Sequence, residues 1–129
     1  MAITLRPAIP EDFAFCEAIY FTEMDQIMTD LGIDKARHRV TFGAGWRAAE
    51  VQVIQLEGRD IGWMQSWPEA DSLYLSQLFI EAAHQNRGIG AHVLAGLLAR
   101  TDADGVATTL SVVKSNPARR LYERAGFTL

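Results

Sequence analysis

The apolar positions of this chain change their period several times, and each change marks an element. Ile3 to Arg6 reads as a short strand stopped by Pro7. Pro10, Glu11 and Asp12 supply a helix start, with proline in the first turn and acids at the positive end of the dipole. Phe13, Cys16, Tyr20, Met24, Ile27 and Met28 then recur at near-helical spacing, which predicts one helix to about Met28 with that stripe against a sheet. Gly32 interrupts the pattern. Asp34 is placed to cap a second helix running through Ala36, Val40 and Ala44 toward Trp46. Gly43 and Gly45 weaken it by roughly 1 kcal/mol each relative to alanine, so an irregular or mobile segment is expected there.

Period two takes over at Val51. Val51, Val53, Ile54 and Leu56 form a strand, Glu57-Gly58-Arg59-Asp60 a turn, and Ile61 to Trp67 the return strand, ended by Pro68, with Trp63 and Trp67 on one face. From Ser72 to Ile80, Leu73, Leu75 and Phe79 fall on one side and Tyr74, Leu78 and Ile80 on the other, the pattern of a strand buried on both faces. Gln77 is the polar exception on the first side and must find a partner or line a cavity. Helical spacing returns with Ile89, Val93, Leu94, Leu97 and Leu98, in a helix from Gly88 to about Arg100. A polar turn, Thr101 to Gly105, leads into a β-branched strand, Val106 to Val113. The strand, helix and strand form a crossover unit with parallel neighbours. Asn116-Pro117 starts a last helix with Ala118, Leu121, Tyr122 and Ala125 inside and Gly126 at its end. The fold class is α/β of the α+β kind, a mixed central sheet flanked by helices. Its order is strand, helix, helix, three strands, helix, strand, helix.

Chemistry concentrates where the Ser72 to Ile80 strand hands over to the next helix. Gly88 and Gly90 let a ligand approach the backbone, and the first-turn amides of the helix have no partners of their own. A pyrophosphate suits that place, the dipole alone being worth roughly 0.3 to 2 kcal/mol, and Arg87 adds a charged fork. Three other phosphate loops fail. The dinucleotide fingerprint needs a small residue where Val93 stands and an acid about 20 residues on, where the chain reads Thr108, Thr109, Leu110. No Gly-Lys pair exists for a Walker loop, and a kinase glycine loop lies between two strands.

Composition narrows the partners. One domain, residues 1–129, is large enough to bury roughly 65 to 70 per cent of its unfolded surface without disulfides or metals. The net charge of -4 speaks against a nucleic-acid groove and mildly favours a cationic acceptor. Cys16 is alone, which excludes an internal disulfide, and no Cys/His spacing suggests a metal site. No apolar run approaches the roughly 18 residues of a membrane span, so no membrane role is expected and a cytoplasmic location is the default.

Gln85-Asn86-Arg87-Gly88-Ile89-Gly90-Ala91 resembles the acyl-CoA loop of the GNAT superfamily of N-acetyltransferases, written Q/R-x-x-G-x-G/A. The run N-P-A-R-R-L-Y-E-R-A-G-F from Asn116 to Phe127 resembles a second segment of the same family, in the correct order. The likeness is close from Ser72 to Phe127 and elsewhere lies in the order of elements. It implies an acyl-CoA N-acyltransferase-like fold in which a bulge splays the two central parallel strands and the pantetheine arm of acetyl-CoA lies in the gap. The backbone of Leu78, Phe79 and Ile80 would bond that arm, Gln85 to Ala91 would hold the pyrophosphate, Asn116 would bond the pantetheine, and Arg119 or Arg120 would reach toward the adenosine.

The resemblance further implies direct acetyl transfer, with Tyr122 as general acid and an amide around Phe79 as oxyanion donor. Gln77 stands where the family often has a glutamate, so it could orient the acceptor but not act as a base; water relayed to Glu23 or Asp25 is one alternative. His84 and His92 flank the loop as solvated residues. The segment from Asp34 to Trp46 corresponds to the part that closes over the acceptor. The family normally continues with two further strands beyond Phe127, so either the chain is a shortened one or another subunit supplies the strand, and self-association through the open C-terminal sheet edge is expected. The expected activity is acetylation of a primary amine on a small molecule or peptide, with a non-catalytic acyl-CoA-binding module as the alternative.

Overall fold

The computed structural model describes residues 2–112 and 116–128, and its five strands form one sheet in the order β1-β2-β3-β4-β5. The strands are β1 (Ile3–Pro7), β2 (Val51–Leu56), β3 (Arg59–Glu69), β4 (Ser72–Ile80) and β5 (Ala107–Leu110). The first four pair antiparallel and β4 pairs β5 in parallel, which makes the sheet mixed. Helix α4 (Ile89–Ala103) joins the parallel pair and packs with α5 (Arg119–Arg124) on one layer, around Ile54, Met64, Leu78 and Ile80. The other layer holds α1 (Phe13–Glu23), α2 (Asp25–Asp30) and α3 (Lys35–Gly45), packed on Val51, Trp63 and Phe79.

The expected helix to Met28 breaks at Met24, with Met24 N–H still bonded to Tyr20 O and Met28 N–H to Met24 O. Asp34 caps α3 as expected, its side chain accepting from Arg37 N–H at 3.2 Å, but the helix stays regular through both glycines. The aliphatic row along it does not face the core. Val40 is 75% exposed with Ala36 and Ala44 also outside, and the buried side is carried by His38, Phe42 and Trp46, also four apart. Aromatic packing explains the choice, because Phe42 stacks on Tyr20 at 4.6 Å and meets Trp63 edge-on at 5.9 Å. Tyr20 hydroxyl and His38 Nε2 lie 2.8 Å apart and tie α3 to α1.

Pro68 lies inside β3 rather than ending it. It is tolerated because β2 reaches only to Gln65, so beyond that point β3 is an edge whose missing donor has no acceptor to serve. Helix α4 likewise runs past Arg100 to Ala103, and Thr101, expected in a polar turn, is buried with its hydroxyl 2.8 Å from that of Thr108. β5 is shorter than the expected Val106 to Val113 strand, and Val113 lies outside the described residues.

One irregularity reorganises β4. β3 steps from Gln65 to Ser66 while its partner steps from Gln77 to Leu75, so Ser76 is an extra residue and the alternation of faces slips there. Leu73 and Leu75 therefore join Leu78 and Ile80 against α4 and α5, whereas simple alternation puts them with Phe79. Tyr74 crosses to the opposite layer, where its ring lies 5.3 Å from that of Trp67, and Gln77 keeps company with Phe79 and Trp63.

Candidate functional site

The same bulge opens the sheet. β5 pairs with β4 only from Ser72 to Leu75, and among the described residues no strand covers the outer edge of β4 from Ser76 to Ile80. Glu81 N–H donates to Ile61 O at 2.8 Å, so alternation turns the main chain of Phe79 toward β3 and those of Leu78 and Ile80 outward. Ile80 O indeed points into the gap, accepting from Gln85 Nε2 at 2.8 Å. The expected donor at Phe79 is thus used inside the sheet, and the amides beside it face the opening.

A cavity of about 450 Å³ fills this gap. Gln77, Leu78, Phe79 and Ile80 line it from β4, Gln85, Asn86, Gly88, Ile89, Gly90 and Ala91 from the loop and the start of α4, and Asn116 and Tyr122 from the α5 side. Gly88 caps α4 with φ 77°, a left-handed conformation in which a side chain is strained, and a Cβ there would meet no atom within 4 Å. The first amides of α4 lie in this wall with no intrahelical acceptors.

Some of the expected site residues stand aside from the cavity. Arg87, Arg119 and Arg120 are outside the lining, and Arg119 Nε lies 3.0 Å from Glu123 Oε1. Asp25 is also outside, bound by Lys35 at 2.7 Å, whereas Glu23 lines the cavity. His84 is not solvated: its side chain is 15% exposed, lines the cavity and places Nδ1 2.7 Å from Glu81 Oε1. His92 is exposed, as expected. Arg124 lines the cavity and was not singled out by the sequence. Its signal was available, since it lies one helical turn beyond the inward-facing Leu121.

Tyr122 is buried, edge-on to Phe127 at 6.0 Å, and burial pushes its phenol up to about 12, so the ring stays neutral at ordinary pH. Asn116 accepts from Ala118 N–H at 2.9 Å, which sets the turn into α5. Cys16 is fully buried and its thiol is pushed up to about 12 by loss of solvent, so it offers no nucleophilic thiolate. Gln65, unremarked in the sequence, is buried and donates to Gly45 O at 2.9 Å and Glu50 Oε1 at 2.8 Å, tying α3 to the sheet.

An open strand edge, unpartnered helix amides and a glycine-walled loop in one cavity fit an extended amide-bearing arm joined to a diphosphate. The sequence profile of the acetyltransferase (GNAT) domain matches residues 47–129. The chain belongs to the GNAT acetyltransferase family. It is an acyltransferase domain of that family, with acetyl-CoA as cosubstrate. No curated protein matches the chain in sequence. Among solved structures it is similar to the PaiA N-acetyltransferase of Thermoplasma acidophilum in complex with coenzyme A, at 16% identity and TM-score 0.72, over 99% of this chain and 91% of that one. It is also similar to an N-acetyltransferase of Staphylococcus aureus Mu50, at 18% identity and TM-score 0.68 over 97% and 90%. Ard1 of Thermoplasma volcanium is similar at 17% identity and TM-score 0.69 over 99% and 84%. These likenesses show the GNAT fold across the chain, including the helices before residue 47. Among the described residues no helix is long and apolar enough to cross a membrane, and no cluster of potential metal ligands forms.

Proposed function

We propose that residues 1–129 form one N-acetyltransferase domain that moves an acetyl group from acetyl-CoA directly to a primary amine of a small molecule or peptide. The observation that carries this reading is a single cavity joining the open edge of β4, the start of α4 and the Tyr122 side chain. The thioester supplies an activated acyl carbon. Leu78 and Ile80 offer main-chain groups to the arm, the loop from Gln85 to Ala91 offers amides to the diphosphate, and Asn116 steadies the arm from the α5 side. Arg124 takes the cationic part expected of Arg119 or Arg120.

The outward amides of Leu78 and Ile80 are the oxyanion donors of this scheme, a role typically worth about 2.7 to 4 kcal/mol. Tyr122 donates a hydrogen bond to the departing sulfur. With the phenol at about 12 against an ordinary thiol near 8.5, complete transfer is uphill by roughly 5 kcal/mol, so Tyr122 acts as a donor and relay rather than as a strong acid. Gln77 reaches the cavity from the acceptor face of β4 and orients the amine without titrating. The buried Cys16 supports direct transfer over a covalent acyl-cysteine.

Gln77, with no ionisable group, also favours a second reading, a non-catalytic acyl-CoA-binding module. Thiol release from acetyl-CoA with a panel of primary amines and peptides separates the two. Turnover with any acceptor supports the enzyme; coenzyme A binding by calorimetry with no release across the panel supports the module. We further infer that a second copy covers the outer edge of β5, which no strand covers among the described residues. Light scattering is expected to report a dimer, and a stable monomer at micromolar concentration contradicts it.

A further inference from the structure

Glu23 closes α1 and is the one acidic side chain among the described residues lining the 450 Å³ cavity. It also lines a smaller cavity of about 180 Å³, together with Ala18, Ile19, Thr22, Glu81 and Ala82. Gln85 holds it there. The same Nε2 that donates to Ile80 O at 2.8 Å also donates to Glu23 Oε1, and among the described residues no cation reaches Glu23. Nearby carboxylates differ in this respect. Glu81, the other acid of the smaller cavity, lies 2.7 Å from His84 Nδ1, Asp25 is bound by Lys35 at 2.7 Å, and Glu17 lies 3.6 Å from Arg39.

A carboxylate oriented by a neutral amide has no cation paired with it, and the largely apolar space beside it suits the methylene chain of an alkylammonium ion. The Gln85 amide is committed to these two oxygens, so the residue links the phosphate-binding loop to the end of α1 across the site. We propose that Glu23 is the acceptor-binding carboxylate and Gln85 its positioning residue, so that the acceptor is a cationic alkylamine and not an acidic one. The inference rests on the acetyltransferase reading and names its acceptor class.

Steady-state thiol release from acetyl-CoA, with 1,4-diaminobutane and 4-aminobutanoate as acceptors, tests it. The wild-type protein is expected to favour the diamine by roughly tenfold or more in kcat/KM. Glu23→Gln should raise KM for the diamine roughly tenfold and erase the preference, with coenzyme A affinity by calorimetry held within about twofold, while Glu23→Asp retains it. Gln85→Ala should shift KM in the same direction, and the double variant should be no worse than Glu23→Gln. A diamine KM unchanged in Glu23→Gln, an equal or greater rate with 4-aminobutanoate, or additive losses in the double variant overturns the proposal. Absence of coenzyme A binding in the wild-type protein would instead remove the acetyltransferase reading beneath it.

Discussion

A Cβ placed on Gly62 would lie 2.2 Å from the carbonyl oxygen of Phe79. β3 and β4 thus meet main chain to main chain directly behind the edge that Leu78 and Ile80 turn to the cavity. Gly62→Ala must push β4 toward the site, and overpacking of this kind typically costs about 1 to 3 kcal/mol. Urea unfolding should show that loss, and calorimetry should show coenzyme A binding weakened by roughly tenfold. An unchanged midpoint and affinity would mean that the strands separate there without penalty.

Tyr122→Phe removes only the hydroxyl and leaves the ring packed on Phe127. Coenzyme A affinity should stay within about twofold while kcat falls by roughly tenfold or more. Equal losses in binding and turnover would reduce Tyr122 to a packing residue.

Arg6 bridges two carboxylates, donating to Asp12 at 2.8 and 2.9 Å and to Asp60 at 2.8 and 3.3 Å. The Arg6 hydrogen bonds hold both acids below the usual carboxylate range, with Ile9 N–H adding to the effect on Asp12 and Gln55 to that on Asp60. A depressed native value means that the unfolded chain binds protons first. This stabilisation is complete above about pH 5 and is lost as pH falls through about 4 toward the native values. Asp12→Asn should lower stability at neutral pH by about 1.5 to 3 kcal/mol and flatten the acid limb of the urea midpoint profile. An acid limb as steep as that of the wild-type protein would assign the sensitivity to other groups.

Cys16 should not react with an aromatic disulfide reagent until the protein unfolds, because it is fully buried and its thiol is pushed up to about 12. Cys16→Ala should cost about 1 kcal/mol of stability and leave turnover within roughly threefold. Rapid labelling of the folded protein, or loss of turnover in the variant, would reopen a covalent route.

The loop from Gln85 to Ala91 was legible because its chemistry is local: two glycines, a strand before them and an apolar helix after. The parallel pairing of β4 with β5 was legible because a strand, a helix and a strand in succession make a crossover unit. What escaped depends on contacts between distant segments. Nothing in the alternation of Leu73, Leu75 and Phe79 signals that Ser76 is an extra residue, since that is defined only against β3. The inner face of α3 is not readable locally, because aliphatic and aromatic residues both recur every four positions and only Tyr20 and Trp63 decide between them. Gln65 and Glu23 take their meaning from Glu50 and Gln85, 15 and 62 residues away.

Ser76 gives the cleft its existence through length alone. Removing that one residue would restore an unbroken ladder, let β4 and β5 zip together beyond Leu75, and leave Leu73 and Leu75 on the face of Leu78 and Ile80 by plain alternation. A protein shortened this way would exchange its binding groove for sheet, and a one-residue deletion that touches no reacting group would silence the domain.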